Sequence, residues 1–250
     1  VCHCIFYRQQ FSVSFITKFI KFIIQFLNNY RLAEQFKSND AVEVLPTDFR
    51  RPQQFSESYN RWASQKTKGT IPQVRFTPDP STMMVMSSAV YFKGGWIYKF
   101  NPATRGEFLT ESGPKACPMM TLRKKLPYGS VREMADWISI PYNSSDSMIV
   151  ILPRPNFRLE GFINQFNTND MDNIMDSLGS DNYANVNLTM PKFKIDSTTS
   201  LVKPMQQMGI QRAFSENSEI TKLTANRQPL QVSNAVQQAS MEVNEEGSIA

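Results

Sequence analysis

The sequence predicts an α+β fold built on large, mostly antiparallel sheets. Three observations carry the prediction. Strand-like stretches recur along most of the chain, from Ala41–Leu45 to Val232–Val243. Helical stretches intermix with them, without the strand–helix–strand rhythm of a parallel sheet. No internal repeat is present. With 41% hydrophobic residues and 18 Phe among 250 residues, the chain can bury a sizeable core.

The first 28 residues differ in composition from the rest. Phe11–Leu27 consists almost wholly of Phe, Ile, Lys, Ser and Thr. Ser14, Thr17, Lys18, Lys21, Gln25 and Asn28 share a narrow face of a helical wheel, so an amphipathic helix is expected. Lys18 and Lys21 interrupt an already short apolar run, which makes it a poor membrane span. No small-residue cleavage site follows it, as a signal peptide would require. Residues 1–28 are therefore set apart as an atypical leader outside the main domain, and residues 31–250 as the domain itself.

From Arg31 the pattern becomes globular. Leu32–Phe36 predicts a short helix, Ala41–Leu45 a strand and Pro46–Pro52 a turn. Phe55, Tyr59 and Trp62 recur at i, i+4 and i+7, which puts three aromatics on one helical face as core packing. Gly69 ends that helix. A long strand is expected over Met83–Phe92, another at Trp137–Ile140, and a third at Met148–Leu152, where a continuous apolar run suits burial on both faces. Phe162–Leu178 predicts a helix, and Val186, Leu188 and Met190 alternate as in a strand. Leu201–Met208 predicts a helix closed by Gly209. Val232–Val243 predicts a strand with Ala235, Ala239, Met241 and Val243 on one side.

Composition narrows the function. Charged residues make up 20%, with a net charge of +5, and the only tight basic cluster is Arg123-Lys124-Lys125, read as a solvated turn. Nucleic acid would need a basic stripe, so no nucleic-acid partner is assigned. The Cys are at 2, 4 and 117. Cys2 and Cys4 are too close in sequence for an easy bridge, and no disulfide framework can be read. Cys2-His3-Cys4 has nothing downstream to complete a tetrahedral zinc site, so a frayed terminus is expected and no metal is assigned. His3 is the only histidine, which makes a Ser-His-Asp or Cys-His arrangement very hard to build. No glycine-rich phosphate loop is present. No catalytic residue and no cofactor are assigned.

Ordered sequence matches then resemble the serpin family. They are Asp48-Phe49, Tyr59-Asn60-Arg61-Trp62 and Thr67-Lys68-Gly69-Thr70-Ile71; then Ser88-Ala89-Val90-Tyr91-Phe92-Lys93-Gly94-Gly95-Trp96 with Phe100, Thr104, Phe108 and Met119-Met120. Ile140-Pro141-Tyr142, Ser147-Met148 and Leu152-Pro153 follow. The series ends with Pro191-Lys192-Phe193-Lys194-Ile195, Met208-Gly209-Ile210, Ala213-Phe214 and Val243-Asn244-Glu245-Glu246-Gly247-Ser248. Together they cover residues 31–250 in family order.

The resemblance implies a serpin fold and a mechanical, non-enzymatic function. A protease attacks a bait loop, and the cleaved loop inserts as a new strand into the large sheet, dragging the acyl-enzyme with it. The loop's hinge falls on Glu245, Glu246, Gly247, Ser248, Ile249 and Ala250. Gly247 is expected to supply backbone freedom. Ser248 and Ala250 are small and two apart, so they would face the same side of an inserted strand. Ile249 departs from the acidic residue common in the family and would point outward. In the middle of the sheet the family's Asn–His hydrogen bond falls on Ser88 and Gln237, which departs from the pattern. Trp96, where the loop first enters, matches it.

By the same resemblance the chain is expected to be truncated at both ends. It would lack the N-terminal helices, the remainder of the bait loop and the closing strands. Met148–Leu152 would then expose an apolar edge, giving a monomer that aggregates when expressed alone. The complete protein is expected to be secreted and to act on a serine protease; a non-inhibitory relative or inactive fragment is the alternative. Asn143-Ser144-Ser145 and Asn187-Leu188-Thr189 match the N-glycosylation pattern, compatible with an extracellular location.

Overall fold

Alternating apolar residues and turn residues organise most of the chain into strands, and the aromatic spacing near residue 55 into a helix. The computed structural model describes residues 3–7, 19–25, 42–110, 113–178, 180–221 and 229–250. In chain order these hold β1 (His3–Tyr7), β2 (Phe19–Gln25), β3 (Val42–Thr47), α1 (Pro52–Lys66), β4 (Met84–Ala89), β5 (Lys93–Gly95), β6 (Asn101–Thr110), β7 (Gly113–Val131), β8 (Ala135–Pro141) and β9 (Ser147–Pro153). Then come α2 (Leu159–Gln165), α3 (Thr168–Ser177), β10 (Tyr183–Pro191), β11 (Phe193–Ser200), α4 (Val202–Gln207), β12 (Val236–Val243) and β13 (Gly247–Ile249).

The chain divides into two compact units, the first comprising Val1–Val13, Lys93–Lys194 and Glu242–Ile249. Its main sheet runs β1-β9-β8-β7-β10, with β6 also on β7, and every pairing is antiparallel. One face buries Val131, Met134, Ala135, Trp137, Ile149 and Ile151 against Phe162 of α2 and Ile174 of α3. Gly129 is required opposite Trp137, because a Cβ there would lie 2.6 Å from the indole ring.

The second unit comprises Ser14–Phe92, Ile195–Met241 and Ala250. In it β2 lies between β3, to which it is parallel, and β4, to which it is antiparallel. Helix α1 buries Phe55, Tyr59, Trp62 and Ala63 with Phe49 and Val85. The Tyr59 and Ser87 hydroxyls share a hydrogen bond at 2.6 Å. The helix ends as Lys68 (φ 49) and Gly69 (φ 84) turn left-handed and the Gly69 N–H reaches the Ser64 carbonyl.

Several expectations change. The amphipathic helix over Phe11–Leu27 is replaced, over its described part, by the strand β2: Phe19-Ile20-Lys21-Phe22-Ile23-Ile24 is rich in β-branched and aromatic residues, which favour a strand wherever partners exist. Residues 11–18 and 26–28 lie outside the described residues, as do Cys2 and the Leu32–Phe36 helix. His3 and Cys4 are not frayed but pair in β1 with Ile151 and Val150. That pairing also covers the β9 edge expected to be open. Arg123-Lys124-Lys125 is exposed, as expected, but lies within β7 rather than in a turn. The single helix expected over Phe162–Leu178 is two, because Asn167 and Asp170 form a capping box that restarts the chain as α3. The strand expected to reach Phe92 ends at Ala89, and β12 starts at Val236.

Candidate functional site: the hinge corner

In the first unit Gly247–Ile249, three of the six residues assigned to the hinge, form a short strand between two others. Gly247, Ser248 and Ile249 lie opposite Gly95, Gly94 and Lys93 of β5, while Ser248 and Ile249 lie opposite Val243 and Glu242 of β12 on the other side. The turn from β12 into β13 is local chemistry. The Asn244 side-chain carbonyl accepts from the N–H groups of Glu246 (3.0 Å) and Gly247 (3.2 Å), and Asn244 N–H donates to the Gly247 carbonyl at 3.0 Å.

Trp96 anchors that turn. Its backbone N–H donates to the Glu246 carbonyl at 2.9 Å, and its indole Nε1 donates to the Asn244 carbonyl at 2.9 Å. Its ring stacks on Tyr142 with centroids 4.4 Å apart and planes 13° from parallel. The Tyr142 hydroxyl donates to Ser248 Oγ at 2.9 Å. Tyr142 is 0% and Ser248 1% exposed. Ile249, on the opposite side of the strand, is partly buried. Gly247 is constrained by space rather than needed for backbone freedom: a Cβ would lie 2.1 Å from the Gly94 carbonyl oxygen and 2.9 Å from the Gly95 Cα.

Charge frames the turn. One Glu245 carboxylate oxygen accepts from Ala103 N–H at 3.1 Å and the other from Lys192 Nζ at 3.0 Å. Its own backbone N–H, the Lys192 ammonium and the Ala103 N–H hold this carboxyl below its ordinary pKa. Glu246 pairs with Lys99 at 2.5 Å in the open. In the second unit, Ala250 and Phe92 exchange a reciprocal pair of backbone hydrogen bonds, 2.9 Å and 2.6 Å.

The other candidates behave differently. Ser88 and Gln237 are both exposed. They sit on strands that do not pair, since β4 neighbours β2 while β12 neighbours β11 and β13. Among the described residues they share no hydrogen bond. Asn143 is exposed in the turn from β8 to β9, with its N–H on the Gly95 carbonyl at 2.8 Å. Asn187 is exposed in mid-β10 and accepts from Arg123 Nε at 3.2 Å. Sequence reasoning gave no role to Tyr142, Asn244 or Lys192. Asn244, three residues before Gly247, was the one legible turn signal.

The short strand β13 is thus held between β12 and the edge strand β5. The family model for serpins, described as serine protease inhibitors, matches residues 17–250. The chain belongs to the serpin family. The match begins inside the segment set apart by composition, and β2 pairs within a sheet of the second unit. Curated relatives include iripin-8 of Ixodes ricinus, 31% identical over 85% of this chain and 54% of its own length. Human antithrombin-III is 33% identical over 84% of the chain and 46% of its own length. The chain thus spans about half the length of the curated relatives it matches. The reaction-loop-cleaved lamprey angiotensinogen structure matches with a TM-score of 0.82 at 26% identity, over 94% of this serpin and 71% of that chain. Relatives named as inhibitors include the leukocyte elastase inhibitor of Sus scrofa, 30% identical over 84% of this chain and 58% of its own length.

Proposed function

We propose that this serpin, in its full-length form, is a secreted inhibitor of a trypsin-like or chymotrypsin-like serine protease that acts by loop cleavage and strand insertion. The observation that supports it most is the seat of Gly247–Ile249 between β5 and β12. A loop continuing from Ala250 would follow the line that the Phe92–Ala250 pair begins. Ser248, the first inward-facing hinge side chain, is small and its hydroxyl is satisfied, so insertion begins without an unpaired polar group.

The test joins a bait loop and its flanking segments from an inhibitory relative to this chain and compares Ser248 with Ser248→Arg. Covalent trapping of protease on a denaturing gel is expected from the first, and simple loop cleavage from the second. The buried guanidinium costs several kcal/mol, and a slowed insertion lets the acyl-enzyme hydrolyse. Equal trapping by both would overturn the hinge assignment, and trapping by neither would favour the alternative of a non-inhibitory relative. That alternative draws its support from Ser88 and Gln237, which replace the family's hydrogen-bonded pair.

Secretion is the finer half of the proposal. It draws on the exposed sequons at Asn143 and Asn187, whereas a relative from Tachypleus tridentatus is named an intracellular coagulation inhibitor. Expression through a secretory pathway checks it: a glycan-sized mass loss on enzymatic deglycosylation, abolished in Asn143→Gln/Asn187→Gln, is expected.

A further inference from the structure

A small side chain at position 248 would satisfy the need for compactness whether it were Ala or Ser. The surroundings of Ser248 are more particular. Tyr142 follows Pro141, the last residue of β8, and its backbone is fixed from two sides: its N–H donates to the Asp146 carbonyl at 3.0 Å, and it forms a bridge with Trp96. Its ring is clamped against the Trp96 indole, itself tied by Nε1 to Asn244. A phenol held in this way has little freedom to re-aim its hydroxyl, which is directed at Ser248 Oγ 2.9 Å away, with both residues excluded from solvent.

The geometry points to Tyr142 as a positioning residue that draws Ser248 into the sheet and retains the hinge strand there. The inference rests on reading Gly247–Ile249 as the insertion hinge. When β13 leaves its seat, the Tyr142–Ser248 bond is broken. One net intramolecular hydrogen bond shifts an equilibrium by roughly five- to tenfold. The inserted hinge is therefore favoured by a bond that neither a Phe at 142 nor an Ala at 248 can make. A Thr at 248 keeps the hydroxyl and preserves it.

Amide hydrogen exchange on the 250-residue chain tests this directly, with the amides of Gly247–Ile249 as reporters and those of β8 and β9 as controls. Tyr142→Phe and Ser248→Ala should each speed exchange at the reporters about five- to tenfold and leave the controls unchanged. The double variant should be no faster than either single one, and Ser248→Thr should exchange as the parent does. Unchanged reporters in Tyr142→Phe, or single effects that multiply in the double variant, would overturn the inference. If Tyr142→Phe loosens β8 and β9 as well, the Ser248 variants decide: fast Ala with parent-like Thr supports the bond, and parent-like Ala overturns it. Protease trapping is not read in this experiment, so its outcome stands apart from that of the proposed inhibitory function.

Discussion

The hinge corner and the Ser88/Gln237 region lie where the family resemblance places two stages of one event, loop entry and sheet opening, yet they are built on opposite principles. At the corner, Trp96 donates to the Asn244 carbonyl, Tyr142 donates to Ser248 Oγ and Glu245 accepts from Ala103 N–H, and Tyr142 and Ser248 are sealed from water. In the middle, Ser88 and Gln237 are exposed on strands that do not pair and bind nothing of each other. A buried polar network fixes one geometry, because each broken bond leaves a desolvated partner. Exposed polar side chains exchange protein for water at almost no cost. Fixed side-chain geometry is thus concentrated around β13 rather than at Ser88 and Gln237.

Removing the space for entry should have the largest effect. In Gly247→Val the new Cβ meets the Gly94 carbonyl oxygen, which is backbone and cannot rotate aside. Overpacking of this kind costs about 1–3 kcal/mol or more. Protection of the Gly247–Ile249 amides should disappear, while the β8–β9 amides remain protected. Retained protection at β13 would mean that β5 shifts to admit a side chain, and that the corner is softer than its packing indicates.

Trp96→Phe should follow. It removes the indole donor to Asn244 and leaves a smaller ring on Tyr142, costing about 1–2 kcal/mol and speeding hinge exchange roughly tenfold. An equal loosening across the whole first unit would make Trp96 an ordinary core aromatic with no preference for the corner.

Acid should act on the same corner more gently. Glu245 is held below its ordinary pKa by its own N–H, Lys192 and Ala103 N–H. A depressed carboxyl contributes stability that is fully present above its unfolded value, about 4.3, and lost as pH falls through the lower folded value. Hinge protection, corrected for intrinsic exchange, should hold from neutral pH to about 5 and then decline in acid. Glu245→Gln should flatten that decline. Asp136, depressed chiefly by its hydrogen bond from Arg154, titrates in the same direction on β8, so a decline that survives Glu245→Gln would belong to that pair.

The contrast between the regions also marks what the sequence made legible. The aromatic spacing in α1 and the apolar runs of β8 and β9 appear in the structure because local pattern and tertiary burial agree there. The ordered motifs carried the family, and the mix of strands and helices the fold class. β7 escaped because Pro114, Pro118 and Pro127 interrupt its pattern and its partners change from β6 to β10 to β8 along its length. β2 was read as a helix because its Phe, Ile and Lys spacing suits both periods and only its neighbours decide. At the site, hinge compactness could be read from Gly247, Ser248 and Ala250 themselves. The Tyr142–Ser248 bond joins residues 106 positions apart, and no local pattern encodes such a partnership.

The smallest effect is expected where the family pair is restored, in Ser88→Asn/Gln237→His. A side-chain hydrogen bond between these positions needs their strands to be neighbours. Here β4 pairs with β2, and β12 pairs with β11 and β13. The new Asn and His would be exposed on strands that do not pair, and surface substitutions of this kind usually stay within about 0.5 kcal/mol. Melting temperature and hinge exchange should therefore match the parent. A clear change would be more informative than none. If the double variant speeds exchange at Gly247–Ile249 while raising the melting temperature, the Asn–His bond has formed. β4 and β12 must then close on each other in solution at the expense of the seated hinge. Comparison with each single variant isolates the bond, since only the pair can make it. That result would locate the competition between a closed sheet and a seated hinge at Ser88 and Gln237, and would show that the weak middle favours the seated state by default.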